Sequence, residues 1–198
     1  MTPMKTIYLL PVLLLGVVFQ SYAQRHLKGQ MALTPYVGLV DNVPVPGNLK
    51  ANGQGYLLGL DLVGYNSRET YWKLAYQFDV KYYDGLDSKL TTSRHTVGFD
   101  YAVGALRNRR RSLYLSPLVG GFLGFERING NQTELPAGRI LNRPVGLFGV
   151  QAGLEGEWFI GEQTALVLAM QQRYLPYSTV AQFHTYGSMG IRFSFFNH

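Results

Sequence analysis

From Thr185 to Phe196 the chain alternates between two kinds of side chain, and no other stretch limits its fold as tightly. Met189, Ile191, Phe193 and Phe195 share one parity, while Tyr186, Ser188, Gly190, Arg192 and Ser194 share the other. Successive residues of a strand point to opposite faces, so the segment predicts a strand with one greasy face and one small or polar face. The greasy face needs either a protein core or a hydrocarbon solvent against it. The rest of the sequence decides between the two.

The opposite end of the chain reads as an export signal. Lys5 supplies a positive start, Ile7 to Phe19 are apolar apart from Pro11 and Gly16, and Ser21-Tyr22-Ala23 offers the small-x-small site of signal peptidase. The run is shorter than the roughly 20 residues a spanning helix needs. Residues 1–23 are therefore expected to be cleaved, leaving 24–198 as one β-barrel domain. Within it, Ser188-x-Gly190-x-x-Phe193-x-Phe195 resembles the closing-strand signal of bacterial outer-membrane barrels. That resemblance implies recognition by the barrel assembly machinery and residence in outer-membrane lipid.

Tyr71 to Tyr82 predicts the clearest strand. Trp72, Leu74, Tyr76, Phe78, Val80 and Tyr82 oppose Lys73, Ala75, Gln77, Asp79 and Lys81. At about 3.3 Å per residue, Trp72 to Tyr82 spans roughly 33 Å. Tilted by about 40°, it stands near 25 Å high, the apolar thickness of an outer membrane. Seven further segments follow the same alternation: Met31–Val40, Gly55–Tyr65, Arg94–Leu106, Ser112–Glu126, Pro144–Phe159, Thr164–Leu175 and Thr185–Phe196. Connections alternate between longer and shorter along the chain, as in an up-and-down barrel with long outer loops and tight periplasmic turns. A soluble lipocalin-like barrel is the rival. It would put large apolar side chains inside, whereas here one face mixes Gly, Ala, Ser and Thr with charges. The predicted fold is an all-β, eight-stranded antiparallel up-and-down barrel of outer-membrane type.

The formal charge of +6 loses only Lys5 with the signal and is scattered. A nucleic-acid binder concentrates its basic residues in a stripe, and only Arg107-Asn-Arg-Arg-Arg111 approaches one. It reads as a solvated periplasmic turn, so direct nucleic-acid contact is not expected. The absence of cysteine excludes disulfides and a lipidated N-terminal cysteine. Lys73, Asp79, Lys81, Asp100, Glu155, Glu157, Arg173 and Arg192 fall on predicted lumen faces. Eight strands leave an interior just wide enough for side chains, so these charges predict an internal ion-pair network rather than an ion path.

His26, His95, His184 and His198 lack metal-ligand spacing, and no metal or cofactor is expected. His95 and His184 are expected near the outer rim, where barrel-embedded lipid acyltransferases carry a His with Ser and Asp. No nucleophile, base and orienting acid assemble from the sequence, so the protein is expected not to be an enzyme.

Gln24-Arg25-His26-Leu27 after the signal, Arg173-x-Leu175, Phe183-His184-Thr185 and Gly190-Ile191-Arg192-Phe193 together resemble the TraO family of conjugative-transposon proteins. The resemblance implies a component of the conjugal transfer apparatus whose partners are other transfer proteins. It transfers no chemical role to any residue. A barrel this narrow is not expected to pass DNA, which leaves an anchoring, assembly or surface-contact role. A general surface-binding or adhesion barrel is the alternative.

Overall fold

The structure is a computed structural model, described here over residues 26–41, 55–66, 69–84, 89–128, 134–135, 138–139, 145–176 and 182–195. The expected signal over 1–23 lies outside the described residues, as do loop 42–54 and most of 129–144. Eight strands follow one another: β1 (Met31–Val40), β2 (Gly55–Tyr65), β3 (Tyr71–Asp84), β4 (Lys89–Ala102), β5 (Leu113–Ile128), β6 (Val145–Phe159), β7 (Thr164–Tyr174) and β8 (Phe183–Phe195). Each is antiparallel to its sequence neighbours. The last strand also pairs with the first, Met31 opposite Phe195 and Val40 opposite Tyr186, so the sheet closes and keeps no edge.

Polarity is inverted relative to a soluble barrel. Leu58, Val97, Phe99, Leu123, Val150 and Met189 point outward and are 51–68 % exposed. Thr34, Asp61, Gln77, Asp100, Glu155 and Arg192 point inward and are buried. Water would penalise that outer wall and hydrocarbon would not. Connections 66–70, 103–112 and 160–163 lie at one end of the barrel, with residues 31 and 195. By the rule that outer-membrane barrels turn their shorter connections to the periplasm, the opposite end, where β1, β3, β5 and β7 finish, is called the outer one. Trp72 near the start of β3 and Trp158 near the end of β6 lie at the end opposite it.

The third and fourth strands differ most from the sequence reading. The third and fourth strands extend to Asp84 and from Lys89, so the expected connection Tyr83–Ser93 shrinks to residues 85–88. Thr91 and Ser93 carry no greasy parity, yet the hydrogen-bond ladder continues through them. The fourth strand ends at Ala102 rather than Leu106, because a bulge intervenes. Ala102 faces Leu118, but Leu106 faces Leu115, which leaves one extra residue on the first side. Opposite lies Pro117, which has no N–H to offer; its carbonyl accepts from the Val103 amide at 3.2 Å. The bulge resets the alternation, so Leu106 points out and Ala105 packs against Tyr114, Phe159 and Ala165. Other ends shift by one or two residues.

The lumen holds more aromatic bulk than the alternation implies. Tyr65, Tyr71, Tyr114 and Phe159 crowd the periplasmic end, and Tyr36, Phe122 and Tyr186 occupy the outer half. Room for Tyr36 comes from Gly59, its cross-strand neighbour, over which the ring lies so closely that a Cβ would coincide with it. Gly59→Val should therefore destabilise the barrel by about 1–3 kcal/mol, read as a lower urea midpoint in detergent micelles. Gly146→Ala, where no atom lies within 4 Å of the added carbon, should leave the midpoint unchanged.

Candidate functional site

All eight charged residues expected on lumen faces point inward and are buried. The barrel brings them into two groups. In the periplasmic half, Glu155 accepts hydrogen bonds from Arg192 Nη2 at 2.6 Å, Tyr71 Oη at 2.7 Å and Lys73 Nζ at 3.0 Å. Lys73 also lies 3.6 Å from both Asp61 and Asp100. Arg192 reaches Glu157 at 3.3 Å and donates to Thr34 Oγ1 at 3.0 Å, with its guanidinium 5.5 Å from the Tyr71 ring. Asp100 is held further by the Gln151 amide at 2.5 Å.

The outer group is built differently. Arg94 lies 3.3 Å from Asp79 and 3.6 Å from Glu126, while Arg173 donates to Gln77 at 3.0 Å. Arg173 stacks between the rings of Tyr186 and Phe122, at 4.4 and 5.0 Å, so aromatic faces partner the cation where carboxylates do not. Lys81 binds Asp41 at 2.5 Å. Between the two groups the free space is a cavity of about 20 Å³ bordered by Tyr36, Asp61, Lys73, Gln77 and Glu155, room for about one water. Among the described residues the lumen is filled through its middle and shows no open channel.

Sequence reasoning missed five members. Asp61, Arg94 and Glu126 lie on inward parities of their strands and were readable by the same alternation. His26 and Asp41 lie outside any alternating run. His26 occupies a turn with φ +55° just before β1 and is buried. Its ring stacks 4.0 Å from Tyr114 and 4.4 Å from Tyr65, and Nε2 is 2.7 Å from Glu157. Backbone bonds from Gly29 to Tyr65 and from Tyr65 to Gln30 tie this turn to the end of β2. The segment stoppers the periplasmic mouth.

Asp41 does the corresponding job at the other end. It takes the left-handed conformation, φ +59°, and bonds His184 Nδ1 at 2.6 Å and the Thr185 amide at 2.8 Å. Burial favours its neutral form, but the bonds from His184, Lys81 and Thr185 outweigh that and hold its pKa down to about 2. His184 thus points into the lumen. His95 lies on the outward face of β4, so the two rim histidines do not share a site.

In the closing strand Phe193 and Phe195 face outward, and Ser188 and Gly190 face the lumen. Gly190 passes against Pro35 and Tyr36 of β1.

The family model of conjugative transposon protein TraO matches residues 29–195. Among solved structures, the chain is similar to a major outer membrane protein from Thermus thermophilus, at 12 % identity and a TM-score of 0.54, covering 83 % of this chain and 99 % of that one. It is likewise similar to Neisserial surface protein A, at 11 % identity and a TM-score of 0.51, covering 83 % of this chain and 97 % of that one. At those identities the likeness concerns the fold. No curated protein matches the chain.

Removing Arg192 takes a guanidinium partner from two buried carboxylates, Glu155 and Glu157. Arg192→Met should cost about 3–5 kcal/mol of folding stability in micelles, measured by urea unfolding. The Asp41 contacts carry a sign with pH. A carboxyl whose pKa falls from 3.8 to about 2 on folding stabilises fully above pH 3.8 and loses that contribution as pH drops to about 2. The stability gap between the native protein and Asp41→Asn should therefore close across that window, measured as paired unfolding midpoints.

Proposed function

The chain belongs to the family of conjugative transposon protein TraO, and on that premise we propose that it serves the conjugal transfer apparatus as a structural component of the outer membrane. The observation that carries the structural role is the filled lumen. Aromatic rings, ion pairs and the His26 turn occupy the axis of the barrel, and the residual cavity of about 20 Å³ admits no polymer. A protein built this way contributes its wall, its ends and its loops. No group in it is assigned catalytic work, and no cofactor is required by the role.

The rigid wall holds loops 42–54 and 129–144 at the outer end, where they can meet other transfer proteins or a recipient surface. The closing strand, with Phe193 and Phe195 outward, is the element offered to the barrel assembly machinery. The lumen charges then act as internal braces that fix the shape of the wall. Nucleic acid makes no direct contact in this reading, because the interior has no room for it and the basic residues are dispersed.

A donor carrying a clean in-frame deletion of the gene should lose transfer, and a complementing copy in trans should restore it. Wild-type transfer from the deletion strain would favour a barrel for surface binding or adhesion instead. The purified protein in planar bilayers should show no wide, stable conductance; a steady large-pore current would refute the bracing role of the lumen.

A further inference from the structure

The outward wall carries one chemical anomaly. Of the described side chains that the eight strands point outward, the basic ones are His95 and Arg127, and they are neighbours. His95 on β4 is opposite Phe125 on β5, and Arg127 follows two residues nearer the outer end. The His95 ring stacks on Phe125 with centroids 5.0 Å apart, and the Arg127 guanidinium lies 5.5 Å from the same ring. Phe78 flanks His95 on the other side at 4.7 Å, and the Tyr76 hydroxyl is 2.9 Å from His95 Nδ1. With that hydroxyl donating, the ring proton sits on Nε2 and remains a donor.

An aromatic girdle alone explains the phenylalanines and the tyrosine, whose amphipathic rings settle at a membrane interface. It does not explain a cation and an imidazole on a wall whose other described outward side chains carry no charge. A guanidinium at this height extends along the wall to the headgroup layer, where its charge meets phosphate rather than hydrocarbon. The cluster lies toward the strand ends that connections 85–88 and 129–144 join, the end called outer above, which places it in the outer leaflet. Arginine matches phosphate with paired N–H donors, and the flanking rings offer an apolar bed for an acyl chain or sugar face.

We propose that Arg127 and His95, the latter oriented by Tyr76, form an external binding site for the phosphate of an outer-leaflet phosphoglycolipid, with Phe78 and Phe125 as its apolar bed. The proposal rests on the reading of this wall as lipid-facing in the outer membrane. Its occupant is a lipid annular to the barrel, on the β3–β5 side only. The β7–β8 side at the same end presents Tyr174 and Phe183, packed at 4.8 Å, with no basic partner among the described residues.

The full-length mature barrel in detergent micelles, titrated with diphosphoryl lipid A and with its phosphate-free counterpart of the same acyl chains, tests this by native mass spectrometry. The intact barrel should prefer the phosphorylated lipid by about tenfold or more, the gain expected from a charge-assisted contact. Arg127→Gln combined with His95→Gln should abolish that preference, and Arg127→Lys should retain most of it. Heat-shifted gel mobility reports whether each variant is folded, and both positions face outward, away from the lumen braces. Equal binding of the two lipids by the folded native barrel would overturn the proposal. So would an undiminished preference in the folded double variant, or an equal preference for phosphatidylglycerol. Failure of the native protein to fold in micelles would instead count against the membrane-barrel reading on which the proposal stands.

Discussion

Glu155 is the group around which the interior is arranged. Its two oxygens accept from Arg192, Tyr71 and Lys73, donors that β8 and β3 bring to it from across the lumen. A carboxylate buried in a narrow barrel cannot be left to water, so every partner must arrive with it. The requirement propagates. Lys73 must answer to Asp61 and Asp100 as well, Arg192 to Glu157, and Glu157 to His26. Ion pairs in such surroundings are poor sources of net stability against an apolar alternative, since desolvation offsets much of the attraction. What they supply here is register. A one-residue slip of any strand but β1 would turn a charge into the bilayer and an apolar side chain into the lumen.

The hydrocarbon outside imposes the complementary rule. Closure through β1 and β8 satisfies the backbone groups that an open edge would expose, and the outward row of Leu, Val, Phe and Met meets the solvent it suits. Where the ladder is interrupted, a proline explains it. Pro117 faces the Val103–Ala105 bulge, and the β1–β8 register skips Thr34 and Pro35. Each interruption lies in a strand whose other neighbour pairs without a gap at that position.

Much of this was legible in the chain because a strand writes both of its faces into its alternation. Leu58, Leu60 and Leu62 around Asp61 announce an outward leucine row and an inward acid in five residues. What alternation could not reveal lies where period two fails. The Pro117 bulge reverses parity beyond Ala102, which sequence reading carried on unbroken to Leu106. His26 and Asp41 sit in turns with positive φ, and the histidine–carboxylate pairs they form, with Glu157 and His184, span more than a hundred residues of chain. The lumen aromatics were visible as residues, but their reach across the axis depends on which glycine stands opposite. Periodicity says nothing about that. The family resemblance was carried by segments near the ends of the chain, although the family model spans residues 29–195, and no physical argument distinguishes a transfer protein from another small barrel.

The His26 stopper has a consequence for the order of assembly. Its binding surface is composed of Tyr65 from β2, Tyr114 from β5 and Glu157 from β6, so no part of the chain made early contains it. The pocket comes into being only when strands distant in sequence have been drawn into one ring. The earliest described residue to leave the ribosome is thus among the last to take its place, and its docking marks a finished barrel.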